Sequence, residues 1–465
     1  MKIIAQLPIL FIALLFNMGI CNSQNNSLTK EYKKEVIQNI SQLMNDFYVF
    51  PEVAKLTEAH LRTQLLDGYY DQFANNETFA AALTNSVQAI NKDKHMRIRS
   101  NRPSNAPERS KETMFEDHLA RIDKSREGNA GFNTVKIFEG NVGYLDLRGF
   151  SGMETGKEIA DAYMKLMART DAIIIDLSRN GGGSPRMVQY LCSYFFNQKL
   201  LLNSLYWREG NSTQEFWTLD EVGGIKLNDV PLFIITSEST FSGAEEFSYN
   251  MQTQKRATLV GQTTGGGANP GRSMNINDDL HIFIPMGRAI NPITKTNWEG
   301  VGVIPEIETT VEDSYDKAID LAQKAAESYR AKRNAIYRQV FMDLNNKLDH
   351  YIIGKSDNII LECLRKCKGV KLFDENDINN LGYQYLTTLE KPKIAESILR
   401  ANTILYPNSS NAFDSYGESL MINGDLENSL KSYQRAVDIA VTNGDRDLEL
   451  FQKNLKIIKQ KLKQE

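Results

Sequence analysis

Ser242 lies in the segment TFSGAEEF, which follows the apolar run PLFIITSES. The run predicts a buried strand and the following segment predicts a helix, so the hydroxyl stands at the turn between them. Side chains at such turns are exposed beside free backbone N–H groups. A serine supplied with a base and with oxyanion donors can act as a nucleophile in acyl transfer. On this segment alone a capping role, with Glu245 completing a capping box, explains the residues better.

A second turn favours the chemical interpretation of Ser242. The segment DLSRNGGG places Gly181, Gly182 and Gly183 directly after the apolar run AIIIDL. Glycine-rich turns between a strand and a helix expose backbone donors to an anion. Phosphate is the rival ligand, but neither G-x-G-x-x-G nor the P-loop Lys-Ser/Thr is present. We therefore predict that Gly243 and either Gly182 or Gly183 form an oxyanion hole.

The elements that would position these turns alternate between strand and helix. Buried apolar runs and amphipathic segments succeed one another over residues 141–332, which predicts an α/β core with parallel strands. Helical periodicity over 24–100 predicts a helical N-terminal subdomain. Residues 101–140 are polar and broken by prolines, so we expect a loop or mobile cover. A helical linker is predicted over 333–374.

The tail, residues 375–465, is predicted to be all α-helical with a weak internal repeat. Gly382 and Gly417 stand 35 positions apart, close to the period of about 34 residues in tetratricopeptide repeats. Ser429, Tyr433 and Ala436 would hold the small and aromatic packing positions of the second repeat. An unrelated helical bundle is the alternative. Such repeats can bind a protein partner, or two of them can simply cap a catalytic domain.

Composition and the N-terminus restrict the class of protein. The formal net charge is −4, which gives no basic surface for nucleic acid. Residues 1–23 have the layout of a signal peptide, so we expect an exported, periplasmic or secreted protein. Lipidation is not expected because Ile20 precedes Cys21, where a small residue is required. No stretch predicts a stable membrane span.

The other cysteines do not predict a metal site. Cys192 lies in an apolar run and is expected to be a buried small hydrophobe. Cys363 and Cys367 would share a helical face, which allows a strained local disulfide. No histidine or second cysteine pair stands nearby, so a zinc site is not expected.

Five segments occur in order across residues 142–306: GYLDLRGF, DLSRNGGGSP, TFSGAEEF, VGQTTGGGANPG and NWEGVGVIPE. Together they resemble the tail-specific (C-terminal processing) serine peptidases. The resemblance is to the branch that contains the tricorn core and the interphotoreceptor retinoid-binding protein modules. It covers roughly residues 30 to 330. It implies a crotonase-like (ClpP/crotonase) α/β spiral core with a helical N-terminal subdomain.

The resemblance also implies which residue acts as the base. Many tail-specific peptidases use a lysine, but Gly267 stands at that position here, which excludes a Ser–Lys dyad at this site. The tricorn-like branch uses a histidine and a glutamate instead, and these correspond to His95 in NKDKHMRI and Glu299 in NWEGVG. A histidine is a suitable base because its pKa lies near neutrality. Lys94 occupies the position where the branch can carry a serine.

Recognition of the substrate is less well defined by the sequence. We expect Gly265, Gly266 and Gly267 to form a loop on the substrate side that needs close backbone approach. Arg148 and Arg288 could bind a peptide carboxylate or could form ordinary salt bridges. The segment between His95 and Asn141 is too short for a PDZ module, so the peptide must be recognised in another way.

These features predict an exported serine peptidase that acts on a peptide or protein substrate. Ser242 would be the nucleophile, His95 the general base and Glu299 the group that orients the base. Neither a metal nor an organic cofactor is needed. The alternative is a catalytically silent binding module of the same fold for apolar ligands or peptides. In a third interpretation the tail repeats carry the function and the core is a scaffold.

Overall fold

The computed structural model describes residues 28–101 and 110–464. The predicted signal peptide and Cys21 lie outside the described residues. The chain divides into two compact units, Met1–Ala325 and Ala326–Glu465. Within the described ranges, no helix is long and apolar enough to cross a membrane.

Three helices form the N-terminal part, as the sequence predicts. They are α1 (Lys30–Phe47), α2 (Pro51–Leu66) and α3 (Asn76–Asn91). The side chains of Thr29 and Asn75 cap α1 and α3, and Pro51 begins α2, where its missing N–H costs nothing. The apolar faces of the three helices pack on a three-stranded antiparallel sheet whose order is β1-β10-β9, with β1 (Ile98–Ser100), β9 (Gly271–Asn275) and β10 (Leu280–Pro285).

A six-stranded mixed sheet forms the centre of the first unit. Its order is β12-β8-β7-β4-β3-β2, comprising β2 (Phe132–Phe138), β3 (Val142–Leu147), β4 (Ala172–Asp176), β7 (Leu232–Thr236), β8 (Thr258–Gly261) and β12 (Ile307–Glu308). β2 is antiparallel to β3, and the other pairs are parallel. Every residue of β3, β4 and β7 is buried, and the three strands are mostly apolar, with Asp146, Asp176 and Thr236 near their carboxyl ends. The helices α5 (Met153–Met167), α6 (Pro185–Ser193) and α7 (Gly243–Thr253) follow β3, β4 and β7.

The structure corrects the prediction of a loop over residues 101–140. Helix α4 occupies Lys111–Glu127, and β2 is the edge strand beside β3. The side chain of Ser110 caps α4, but α4 buries none of its residues. A helix without a buried face has no apolar periodicity, and this explains why the sequence pattern missed it.

A second small antiparallel sheet was not predicted. Its order is β11-β5-β6, comprising β5 (Leu201–Trp207), β6 (Ser212–Trp217) and β11 (Gly287–Ile290). β5 and β11 are more than 80 positions apart in the chain, so no local pattern could indicate that they pair.

The second unit is entirely helical. Helix α8 (Val311–Asp349) runs without interruption through the predicted boundary between residues 332 and 333. The helices that follow it are α9 (Asp357–Gly369), α10 (Glu375–Tyr383), α11 (Pro392–Leu405), α12 (Ser410–Ile422), α13 (Leu426–Asn443) and α14 (Leu448–Lys461). Cys363 and Cys367 are buried free thiols, so the local disulfide does not form. Cys192 is fully buried, as expected.

The predicted repeat positions of the tail are packing positions. A Cβ atom on Gly382 would lie 2.5 Å from a methyl carbon of Leu399, and one on Gly417 would lie 3.0 Å from the ring of Tyr433. Ser429 is buried and donates to the carbonyl of Gly417. These contacts explain the small residues, and the tetratricopeptide assignment itself stays a prediction.

Candidate active site

Ser242 stands between β7 and α7 in a strained backbone conformation. Its φ is 53° and its ψ is −118°, a region that residues other than glycine rarely adopt. Such a conformation costs on the order of 1–3 kcal/mol and is concentrated at functional sites. The carboxylate of Glu245 accepts the N–H of Ser242 at 2.8 Å, and the predicted capping box is present. A role of Ser242 in capping α7 is therefore compatible with a chemical role.

Ser242 opens into a cavity of about 210 Å³. His95 lines the same cavity although it comes from the turn between α3 and β1. The predicted residues Gly183, Gly243 and Gly267 also line it. The remaining lining residues are Pro185, Leu205, Glu246, Ala268, Pro270, Gly271, Phe283, Ala289 and Trp298.

Two backbone N–H groups meet beside Ser242. No described residue accepts a hydrogen bond from the N–H of Gly243 or of Gly183. A Cβ atom on Gly243 would lie 3.0 Å from the nitrogen of Gly183, so the two peptide groups are neighbours. The N–H of Gly182, in contrast, donates to the side chain of Asn180 at 2.8 Å. Of the two alternatives in the sequence, Gly183 is therefore the available donor and Gly182 is not.

The glycine loop at Gly265–Gly267 is held by the protein itself. The N–H groups of Gly266 and Gly267 donate to the carboxylate of Glu245 at 2.6 and 2.8 Å. The N–H of Gly265 donates to the carbonyl of Thr240. Since these N–H groups are engaged, they are not free for a substrate, and the prediction that the loop lies on the substrate side stays a prediction.

The carbonyl groups of the loop are engaged as well. The ammonium of Lys94 donates to the carbonyl of Gly265 at 2.6 Å, and the indole of Trp298 donates to that of Gly267 at 2.8 Å. The carbonyl of Gly266 accepts the N–H of Gly300. A Cβ atom on Gly267 would lie 2.6 Å from the ring of His95, so this glycine leaves room for the imidazole.

His95 is held among aromatic rings. Its ring centroid lies 4.6 Å from that of Phe241 and 5.9 Å from that of Phe283. Burial, together with the charge of Arg97, lowers the pKa of His95 to about 4. The imidazole is therefore neutral at pH 7, the state in which it can accept a proton.

Two carboxyl groups lie close to His95, and only one of them was predicted. Glu299, which was predicted, accepts the N–H of Ala268 at 2.6 Å through one oxygen, and its other oxygen has no partner in the described chain. The sequence did not indicate Asp93, because the resemblance implies one histidine and one acid only. An oxygen of Asp93 lies 3.8 Å from Nδ1 of His95 and accepts its backbone N–H. Asn269 donates to the other oxygen of Asp93.

The two carboxyl groups share one environment and titrate together. Burial and the charge of Asp93 raise the pKa of Glu299 to about 8. Burial raises the pKa of Asp93 to about 6, against the hydrogen bonds from Asn269 and His95. Both carboxyl groups therefore hold a proton more readily than a free carboxylic acid does, and the ionisation of one opposes the ionisation of the other.

Asp93, His95 and Glu299 are also the group whose donor atoms could hold a metal ion. One donor atom from each lies within 4.8 Å of the others, and two carboxylate oxygens with an imidazole nitrogen are ordinary ligands. The same geometry serves an acid–histidine pair. Because Ser242 lines the same cavity as His95, we favour the acid–histidine pair over a metal site.

The two predicted arginines do not line the cavity. The guanidinium of Arg148 pairs with Asp146 at 3.0 Å, which is the ordinary salt bridge that the sequence left open. The guanidinium of Arg288 lies over the ring of Tyr206, 5.4 Å from its centroid.

Two family models match the chain. Residues 141–309 match the model of peptidase family S41, and residues 28–129 match the N-terminal domain of Peptidase_S41 in eukaryotic IRBP. The first match contains Ser242 and Glu299, and the second contains His95. Together they cover more than half of the chain.

A curated relative and two solved structures are also similar to parts of the chain. A carboxyl-terminal-processing protease of Synechocystis is 26% identical to this chain over 215 residues. The match covers 43% of this chain and 46% of the relative, so the chain spans about half the length of the curated relative it matches. A crystal structure of a proposed peptidase from Parabacteroides merdae is 19% identical with a TM-score of 0.46, covering 62% of this chain and 96% of that chain. The photosystem II D1 C-terminal processing protease is 10% identical with a TM-score of 0.38, covering 60% of this chain and 93% of that chain. From the matched residues, the chain belongs to peptidase family S41.

Proposed function

We propose that the protein is a serine peptidase that forms an acyl-enzyme on Ser242. The observation that carries this proposal is that Ser242 and His95, 147 positions apart in the chain, line one small cavity beside the free N–H groups of Gly243 and Gly183. A nucleophile, a neutral base and two oxyanion donors in one place are the parts that acyl transfer requires.

In the proposed reaction, His95 takes the proton of the Ser242 hydroxyl as its oxygen attacks the scissile carbonyl. The N–H groups of Gly243 and Gly183, which line the cavity and have no acceptor among the described residues, would bind the oxyanion of the tetrahedral intermediate. His95 then gives its proton to the leaving amine. A water molecule, activated by the same imidazole, hydrolyses the ester and frees Ser242.

The carboxyl groups act on this reaction through His95. We assign Glu299 as the orienting group because one of its oxygens and Nδ1 of His95 are buried atoms that both lack a partner in the described chain. An ionised carboxylate in this pair would stabilise the imidazolium that forms during attack. Asp93 is proposed as a second positioning residue, since it already binds the backbone of His95.

The volume of the cavity argues against the rival function, a silent binding module for apolar ligands. Pockets for small molecules are typically about 300–1,000 Å³, and this cavity measures about 210 Å³. It suits one side chain of a peptide better than a whole apolar ligand.

Three finer expectations belong to the same proposal. We propose that the α/β core is the crotonase-like spiral that the resemblance implies. We also propose that the protein is exported and acts on peptides or proteins outside the cytoplasm. The helical tail would either bind a protein partner or cap the catalytic unit.

Labelling with a fluorophosphonate tests the proposal. We expect covalent modification of Ser242, mapped by peptide mass spectrometry, and hydrolysis of an unstructured peptide. Ser242→Ala should abolish both, whereas Ser239→Ala, which changes an exposed serine outside the cavity, should keep both. Unlabelled Ser242 in a protein that is otherwise folded would reject the assignment.

A further inference from the structure

One carboxyl group in the cavity has no role in the proposed reaction. Glu246 lies one turn after Ser242 on α7, and its N–H donates to the carbonyl of Ser242 at 2.9 Å. Ser242 and Glu246 line the same cavity. Glu246 is 5% exposed and lines the cavity. It is thus a buried acid directly beside the nucleophile.

No group in the described chain neutralises this acid. The lining of the cavity contains neither lysine nor arginine, and its only other ionisable side chain is His95. The amide of Asn203 on β5 is near enough to lower the pKa of Glu246, yet neither of its polar atoms is in hydrogen-bonding geometry with any described residue. Burial is the larger effect and raises the pKa of Glu246 to about 7.

A buried acid without a hydrogen-bond or ionic partner lowers the stability of the fold. The presence of Glu246 here therefore points to a ligand that supplies the partner. Much of the remaining lining of the cavity is apolar and consists of Pro185, Leu205, Pro270, Phe283, Ala289 and Trp298. A ligand side chain that fits this cavity needs an aliphatic stem to contact the apolar lining and a terminal hydrogen-bond donor to reach Glu246. Lysine and arginine have both, because their stems pack on apolar surface while their charged ends seek an acid.

We propose that this cavity holds the substrate side chain next to the scissile bond, on the acyl side, and that Glu246 makes it selective for lysine or arginine. The inference rests on the proposed peptidase function. It adds that Glu246 is a specificity-determining residue.

The test is a series of fluorogenic peptides that differ only at the residue on the acyl side. The residue is lysine, norleucine or glutamine, so that the aliphatic stem is kept while the charge is removed or replaced by an amide. We expect kcat/KM for lysine to exceed that for norleucine by roughly 10- to 150-fold, the range expected for a hydrogen bond to a charged group. Equal or better cleavage after norleucine or glutamine would overturn the inference.

Variants of Glu246 complete the test. Glu246→Gln, which keeps the shape, and Glu246→Leu should both bring the ratio of lysine to norleucine close to one. Glu158→Gln, which changes an exposed acid on α5, should keep the wild-type ratio. A wild-type ratio in a Glu246→Gln protein whose Ser242 still reacts with fluorophosphonate would overturn the inference.

The failure of the proposed function gives a different result. If Ser242 is not labelled and none of the three peptides is cleaved, the peptidase assignment fails and this inference fails with it. If Ser242 is labelled and the peptides are cleaved without preference, only the inference about Glu246 fails.

Discussion

Gly182 provides a stringent test of the proposed site because it is next to Ser242 and has no role in the proposed reaction. A Cβ atom on Gly182 would lie 2.7 Å from the nitrogen of Gly243 and 2.8 Å from the Cβ of Ser242. Gly181, its neighbour, has no atom within 4 Å of such a Cβ. The pair Gly182→Ala and Gly181→Ala therefore adds the same methyl group once against the nucleophile and once into open space.

The magnitudes follow from these contacts. For the clash with Ser242 to relax to an ordinary contact of 3.4 Å, the two turns must separate by roughly 0.6 Å. A misplacement of about 1 Å can cost roughly 10²-fold in rate, so we expect Gly182→Ala to lower kcat by about 10- to 100-fold. Its φ of 103° is also strained for alanine, which should lower the free energy of unfolding by about 1–3 kcal/mol.

The assay combines peptide hydrolysis, the rate of fluorophosphonate labelling and urea unfolding. Tryptophan fluorescence reports on the first unit, because the three tryptophans of the chain, Trp207, Trp217 and Trp298, all lie in it. Gly181→Ala should change the free energy of unfolding by no more than about 0.5 kcal/mol. If Gly182→Ala reacts as fast as the wild type, or if Gly181→Ala is equally impaired, the geometry derived for the two turns is wrong.

Three further predictions concern the base and its surroundings. Because burial lowers the pKa of His95 to about 4, the imidazole should stay neutral until the pH falls to that value, and an NMR titration of the His95 ring should have its midpoint near 4. A midpoint near 6.5 for this ring would show that His95 is not desolvated in the free enzyme. Glu299→Gln and Asp93→Asn should each reduce kcat less than His95→Ala does, because they position the base and do not carry the proton, and equal losses in all three would indicate a single inseparable unit. Peptide hydrolysis should withstand dialysis against EDTA, and activity that is lost and then restored by Zn²⁺ would instead make Asp93, His95 and Glu299 metal ligands.

The sequence by itself determined the central elements of the first unit and indicated Ser242 as the proposed nucleophile. Strands β4 and β7 are buried at every residue, so their burial is visible as continuous apolar runs. The turns after these strands contain Gly183 and Ser242, and these residues indicated where the proposed active site lies. Local patterns of this kind need no knowledge of which strand pairs with which.

The resemblance supplied His95 and Glu299, but only the tertiary structure placed them beside each other. It also added Asp93, whose partner Asn269 lies 176 positions away. Hydrogen bonds between such distant residues leave no periodic signal in either segment. Asp93 could have been found only by asking which acids flank the histidine.

The tertiary structure also decided what the glycines do. Gly265–Gly267 looked like a substrate loop in the sequence, yet Glu245 and Lys94 already bind its backbone. The structure left Gly183 free and engaged Gly182, although the two are adjacent and chemically identical. A backbone N–H becomes a functional donor only when the folded chain offers it no acceptor, and that depends on contacts that sequence order does not specify.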